Sequence, residues 1–141
     1  MKLFFSNRQL QHAPQQFMSA GRIVAPFEIP ERAERMARGL SALGLELVDP
    51  DDFGLAPILE VHADHYVDFL RSAYDRYQEL PNAGPEVLPN VHPHIGAYVD
   101  LGPRERPRPT HIVGQTGWYI GDLACALGRG TWDAVYASAQ S

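Results

Sequence analysis

An α/β fold is what this sequence predicts, and three observations carry the prediction. A short apolar run, Leu3 to Ser6, begins directly after the initiator and is closed by Asn7, which suits a buried strand. A helix-period stripe follows, with Ala33, Met36, Ala37, Leu40 and Leu43 at three- and four-residue steps between Pro30 and Gly44. Leu45 to Val48 then supplies a second strand before the turn-forming Asp49-Pro50-Asp51-Asp52. Two strands are too few for the sheet that the predicted helices would cover, so physical reasoning alone suggests part of a larger α/β fold. A small α-rich domain with irregular strands is the competing architecture.

His12 to Glu28 holds Pro14, Gly21 and Pro26 without a steady period and is expected to be an irregular loop. Pro30 suits the first position of a helix, where its missing N–H goes unneeded, and Gly44 provides the stop. Leu55, Ile58 and Leu59, then His62, Tyr66, Phe69, Leu70, Ala73 and Tyr77, form an apolar stripe over two helices, the second capped by Asp64. Between Pro81 and Pro109 seven prolines and three glycines exclude a long helix and a central strand. This loop, 81–110, is longer than a connector needs to be, and loops of that length are usually functional or disordered. Val113 to Leu127 has helical length, with Gly114, Gly117, Gly121, Ala124 and Ala126 suited to close packing. Thr131 is positioned to cap a last helix through Trp132, Val135, Tyr136 and Ala139. No internal repeat is visible, and residues 1–141 read as one unit.

Composition narrows the function. With 45% hydrophobic and 21% charged residues the chain is globular in character. A net charge of -5 and the absence of a basic face argue against nucleic acid as a partner. No apolar stretch is long enough to span a bilayer, and the N-terminus lacks the apolar core of a signal peptide. Cys125 stands alone, so neither an internal disulfide nor a multi-cysteine zinc site can form. A cytoplasmic location is expected.

Four stretches carry a resemblance: Leu3-Phe4-Phe5-Ser6, Pro26-Phe27-Glu28-Ile29-Pro30-Glu31-Arg32, Val61-His62-Ala63-Asp64-His65-Tyr66-Val67-Asp68-Phe69-Leu70, and Gly114-Gln115-Thr116-Gly117-Trp118-Tyr119 through Gly130-Thr131-Trp132. In this order they resemble the N-terminal segment of the acetylpolyamine amidohydrolases and other bacterial histone-deacetylase-like amidohydrolases. The resemblance implies the arginase/deacetylase-like open parallel α/β fold, zinc as the cofactor of the full-length family, and hydrolysis of the acetyl-amide of an N-acetylated amine. It also implies a homo-oligomer held partly by loop 81–110. The family's Asp-x-His and His-His pairs and its Gly-Gly-Tyr are absent from this sequence. No catalytic or metal-ligating residue is therefore assigned, no cofactor is expected for this chain alone, and the chain alone is expected to be inactive.

Carried over residue by residue, Arg32 matches an arginine that lines the family's internal channel, where a guanidinium can pair with departing acetate. Its structural reading is a pair with Glu28, Glu31 or Glu34 at the start of the first helix. Phe17, Phe27 and Tyr98 lie in loops that by resemblance approach the tunnel mouth, and His92 and His94 are rim or interface candidates. The positions at which the polyamine enzymes place acidic residues for the distal ammonium fall at Val113 and Ala124, leaving Asp122 as a weak substitute. A zinc site built within the chain from His62, His65, Asp64, His92 and His94 has no recognised ligand spacing. Trp118, Tyr119 and Trp132 are expected in the core, and Cys125 as a buried small hydrophobe.

The function expected is thus that of an N-terminal segment of a zinc-dependent deacetylase acting on an acetylpolyamine or acetyl-lysine type of substrate. The alternative is a non-catalytic truncated module that works by protein-protein contact or self-association.

Overall fold

The computed structural model describes residues 2–93 and 108–141. Strand β1 (Lys2–Phe4) is followed by a 3-10 helix (Asn7–Gln11), a hairpin of β2 (Phe17–Ser19) and β3 (Arg22–Val24), helix α1 (Pro30–Ala42), and strand β4 (Glu46–Val48). Helices α2 (Ala56–Leu59), α3 (Asp64–Gln78), α4 (Ile112–Tyr119) and α5 (Thr131–Ala139) complete the described elements.

The two predicted strands pair, and they pair in parallel, with Leu3 opposite Leu47 and Phe4 opposite Val48. The connection between them carries α1, as a parallel crossover requires. Pro30 occupies the first turn of α1, and Gly44 follows the C-cap Leu43 at φ +80, a left-handed conformation that glycine adopts without a Cβ penalty. Of the α1 stripe Ala37 is buried, Ala33 and Leu40 are half-buried, and Met36 and Leu43 are 62% and 78% exposed, so this face is only partly covered.

Four expectations are corrected. The segment read as an irregular loop contains the β2–β3 hairpin, closed by Ala20 and Gly21, both at positive φ, in register Phe17 to Val24. Three-residue strands are too short to show alternation, and Gly21 was their one sequence signal. Asp64 is the first residue of α3, with Ala63 at the N-cap and the Asp64 carboxylate accepting from the His65 N–H at 2.6 Å. Thr131 likewise sits one position inside α5 behind Gly130, so its hydroxyl is released for other bonds. The helix expected from Val113 to Leu127 stops at Tyr119, because Gly121-Asp122 turns the chain; the Asp122 carboxylate accepts from the Ala124 N–H at 2.8 Å.

Beyond that turn Leu127 forms an antiparallel bridge with Val87, through backbone bonds of 2.9 and 3.1 Å. The core sits here. Phe69 and Ala73 of α3, Ile112 and Ile120 at the ends of α4, and the Val87–Leu127 bridge form one buried cluster, with Tyr66, Leu70, Val113 and Tyr119 packed around it. The segment 52–54 ties down α5: the Tyr136 hydroxyl donates to Asp52, and Gln140 bonds the backbone of Phe53 and Gly54. No helix among the described residues is long and apolar enough to cross a membrane.

Candidate functional site

Among the described residues an apolar groove of about 490 Å³ lies between α2, α3 and α5. Ile58, Val61, Tyr66 and Leu70 form one wall, and Trp132, Val135 and Tyr136 the other. Helical periodicity explains both walls: 58 and 61 are three apart on α2 and its extension, 66 and 70 four apart on α3, 132, 135 and 136 three and four apart on α5. At one end lie Leu127, Thr131 and His12, and Cys125 also borders the space.

His12 is the electrostatic feature of that end. Its Nδ1 lies 2.9 Å from the Thr131 hydroxyl, which also accepts from the Gly128 N–H at 2.9 Å. Desolvation holds the His12 pKa below its usual value of 6.5, while the carboxylates of Glu86 and Glu28 pull the other way. Glu86 is itself buried and accepts from the Gln15 N–H at 2.8 Å and from the Gln16 amide. The His12–Thr131 bond ties the N-terminal loop to α5, and Glu86 holds the same loop through Gln15 and Gln16.

Because the folded state disfavours the charged imidazole, His12 contributes stability that is present above its unfolded pKa and is lost as pH falls below about 6.5 toward the lower folded value. We expect the melting temperature to decline over that range, and the decline to be shallower in His12→Gln. An unchanged slope in the variant would show that other groups govern the acid limb.

The predicted site residues do not converge in one place. Arg32 is exposed and ion-paired with Glu28 four residues earlier, and both border a second cavity of about 280 Å³ with Gln9, His12, Met36 and Ser138. Phe17 and Phe27 do meet, edge to face with centroids 5.7 Å apart, and Phe27 remains 74% exposed. His92 is exposed beside the backbone that Gly117 approaches, and Asp122 is exposed in the turn after α4. His94 and Tyr98 lie outside the described residues.

Of the other candidates, His65 bonds the Tyr119 hydroxyl at 3.0 Å and His62 packs on the Tyr66 ring. Among the described residues no three His, Cys, Asp or Glu side chains come together as a metal site. The described donor set therefore does not fit zinc, and no chemical step is assigned to a metal here. Tyr119 stacks on Phe69 as expected of a core aromatic, at 4.7 Å, but Trp118 and Trp132 are only half-buried, the latter because it walls the groove. Cys125 is exposed on a loop rather than buried in a helix; partial desolvation at the groove and the charge of Asp122 push its thiol pKa up. The same desolvation, with a contribution from Cys125, raises Tyr66. Thr131 was legible only as a helix cap, and its link to His12 and Glu86 was not, because the three are 45 to 119 residues apart and share no spacing motif.

A parallel strand pair with its crossover helix, further helices packed alongside, and an apolar groove left open define a portion of an α/β domain. The chain is homologous along its whole length to the acetylpolyamine amidohydrolases. It is 35% identical over 142 residues to the acetylpolyamine amidohydrolase of Burkholderia pseudomallei, covering 100% of this chain and 39% of that protein. It is 33% identical over 144 residues to the Mycoplana ramosa acetylpolyamine amidohydrolase, covering 100% and 39%. Acetylpolyamine amidohydrolase 1 of Pseudomonas aeruginosa is 31% identical over 137 residues, covering 96% and 38%. The crystal structure of an acetylpolyamine aminohydrolase from Burkholderia pseudomallei superposes with a TM-score of 0.85 at 34% identity, over 97% of this chain and 37% of that one. The fold is thus shared with that structure, and the chain spans about two fifths of the length of these relatives. No protein-family model matches the chain.

Proposed function

We propose that this chain is the part of a deacetylase-type amidohydrolase that builds the outer helices and first strands of the domain, the whole acting on the acetyl-amide of an N-acetylated amine. The observation that carries the reading is the agreement of sequence and fold over the whole chain with acetylpolyamine amidohydrolases. Zinc is the cofactor proposed for the complete domain, with its ligands supplied by residues other than those described, and the 141-residue chain alone turns nothing over. An acetylpolyamine or acetyl-lysine type of amine is the proposed substrate class. Loop 81–110 is proposed as a self-association contact of the complete protein, and the cytoplasm as its location.

A chimera tests this reading. The chain is joined to the portion of the Burkholderia pseudomallei enzyme outside the aligned 142 residues, and N-acetylputrescine and acetyl-lysine hydrolysis are measured beside the chain alone. Turnover and bound zinc in the chimera, with neither in the chain alone, are expected. A folded chimera inactive on both substrates would overturn the deacetylase assignment, and stoichiometric zinc on the chain alone would overturn its inactivity.

A further inference from the structure

Helix α3 has a second side, polar where the groove is apolar. Tyr66 and Leu70, four apart, wall the groove, whereas His65, Asp68, Phe69, Ser72 and Arg76 recur at three- and four-residue steps on the opposite side of the helix. There they line another cavity, of about 450 Å³, completed by Arg108, Thr110, Gln115 and Tyr119 from α4 and the segment before it. The two cavities share no lining residue.

Arg76 sets the character of this second cavity. One guanidinium nitrogen donates to the Gln115 side-chain oxygen at 2.7 Å, and the other donates to the Thr110 carbonyl at 3.1 Å. Both acceptors are neutral, so the half-buried guanidinium is held in place without a counter-charge. The arginines of α1 differ, since Arg32 and Arg38 each pair with a glutamate four residues earlier. Among the described residues no carboxylate pairs with Arg76 or Arg108, and that includes Asp68 in the same lining.

The described lining thus sets two arginines against one carboxylate. A cation is opposed there by both guanidiniums, and an apolar ligand would bury the Arg76 charge without a partner. An oxyanion meets both needs, because guanidinium N–H groups bond phosphate or carboxylate oxygens with charge assistance and in pairs. Arg76 is already ordered by Gln115 and Thr110, so it loses little freedom when it takes a ligand. With its oxygen committed to Arg76, the Gln115 amide keeps its nitrogen as a further donor.

We propose that the α3–α4 cavity binds the oxyanion of a small molecule, a phosphate or carboxylate group held between Arg76 and Arg108. A volume of about 450 Å³ leaves room for the body of such a molecule beyond its anionic group. The site is separate from the acetyl-amide hydrolysis proposed above and does not depend on it.

The test titrates the 141-residue chain with inorganic phosphate and with acetate, each against chloride at matched ionic strength, and follows backbone amide chemical shifts by NMR. Saturable 1:1 binding of at least one of the two anions is expected, with shifts confined to 65–76 and 108–119. Arg108→Gln removes an exposed side chain that makes no described bond, so the circular dichroism is expected to stay unchanged while binding weakens about tenfold, the loss of one charge-assisted contact. Arg76→Lys keeps the charge but loses the fork, and is expected to weaken binding by a similar factor. Titrations that do not saturate with either anion, shifts that lie elsewhere, or binding indifferent to Arg108→Gln would overturn the proposal. The same titration on the chimera described above separates a free ligand from an internal one: binding by the chain but not by the chimera would mean that an acidic side chain of the complete domain occupies the site, and would overturn the proposal as well. Hydrolysis of acetylated amines is not read in any of these arms, so their failure leaves the deacetylase reading standing, and an inactive chimera leaves the anion site standing.

Discussion

Replacing Phe69 by alanine is expected to lower stability by about 3–5 kcal/mol, the range for truncating a fully buried phenylalanine. Phe69 is 2% exposed, stacks on Tyr119 at 4.7 Å, and shares its cluster with Ala73, Val87, Ile112, Ile120 and Leu127. The helices α3 and α4 and the Val87–Leu127 bridge meet at this ring. Little of that surrounding can collapse into the vacated space, because Ala73 has no atoms to extend and the bridge is held by two backbone bonds. Native stabilities are only about 5–15 kcal/mol, so the loss removes a large part of what holds the fold. The check is urea unfolding: the midpoint falls sharply while the slope is retained. Phe69→Leu, which keeps most of the volume, is expected to lose less than about 1.5 kcal/mol. Equal midpoints for Phe69→Ala and the parent would show that this cluster does not organise the fold.

Gly117→Ala is the second large effect. A Cβ at this position of α4 would enter the Val91 carbonyl oxygen and lie 2.7 Å from the Val91 carbonyl carbon and 3.2 Å from the His92 Cα. The obstacle is backbone rather than the end of a flexible side chain, so relief requires α4 and the 91–92 segment to separate. Overpacking of this kind costs about 1–3 kcal/mol, and the unyielding neighbour places the expected loss at the upper end. Gly121→Ala serves as the comparison, since nothing lies within 4 Å of the Cβ it would add. Thermal melting should fall by several degrees in the first variant and hold or rise slightly in the second. If the two substitutions behave alike, the close approach at Gly117 is not a feature of the protein in solution.

These two residues show how far a sequence of this kind can be read. Phe69 belongs to a stripe with period 3.6, and its burial follows from the stripe. Gly117 was one of several small residues that suit close packing, yet only the folded chain distinguishes it from Gly121, because the distinction lies in what arrives from 26 residues away. The candidate site divides the same way. Phe17 and Phe27 were named as loop aromatics, yet Phe17 lies in β2 and only the fold brings the two rings together, whereas Arg32, given Glu28, Glu31 or Glu34 as partner, pairs with Glu28. The His12–Thr131–Glu86 link was invisible, since each member is an ordinary polar residue until the fold joins them.

Legible from residue order were the helices whose apolar stripes span two or more turns, the start and stop of α1 at Pro30 and Gly44, the two strands that pair in parallel, and the resemblance to the amidohydrolases. Local periodicity, backbone restriction at proline and glycine, and short motifs kept in order suffice for these. Folding in three dimensions sets where α4 ends, that Thr131 bonds across the fold instead of capping, that 17–24 is a hairpin, and that α2, α3 and α5 leave a groove open between them. Each of these depends on contacts between residues far apart in the chain, whose energies of one to a few kcal/mol outweigh the smaller local preferences that a sequence displays.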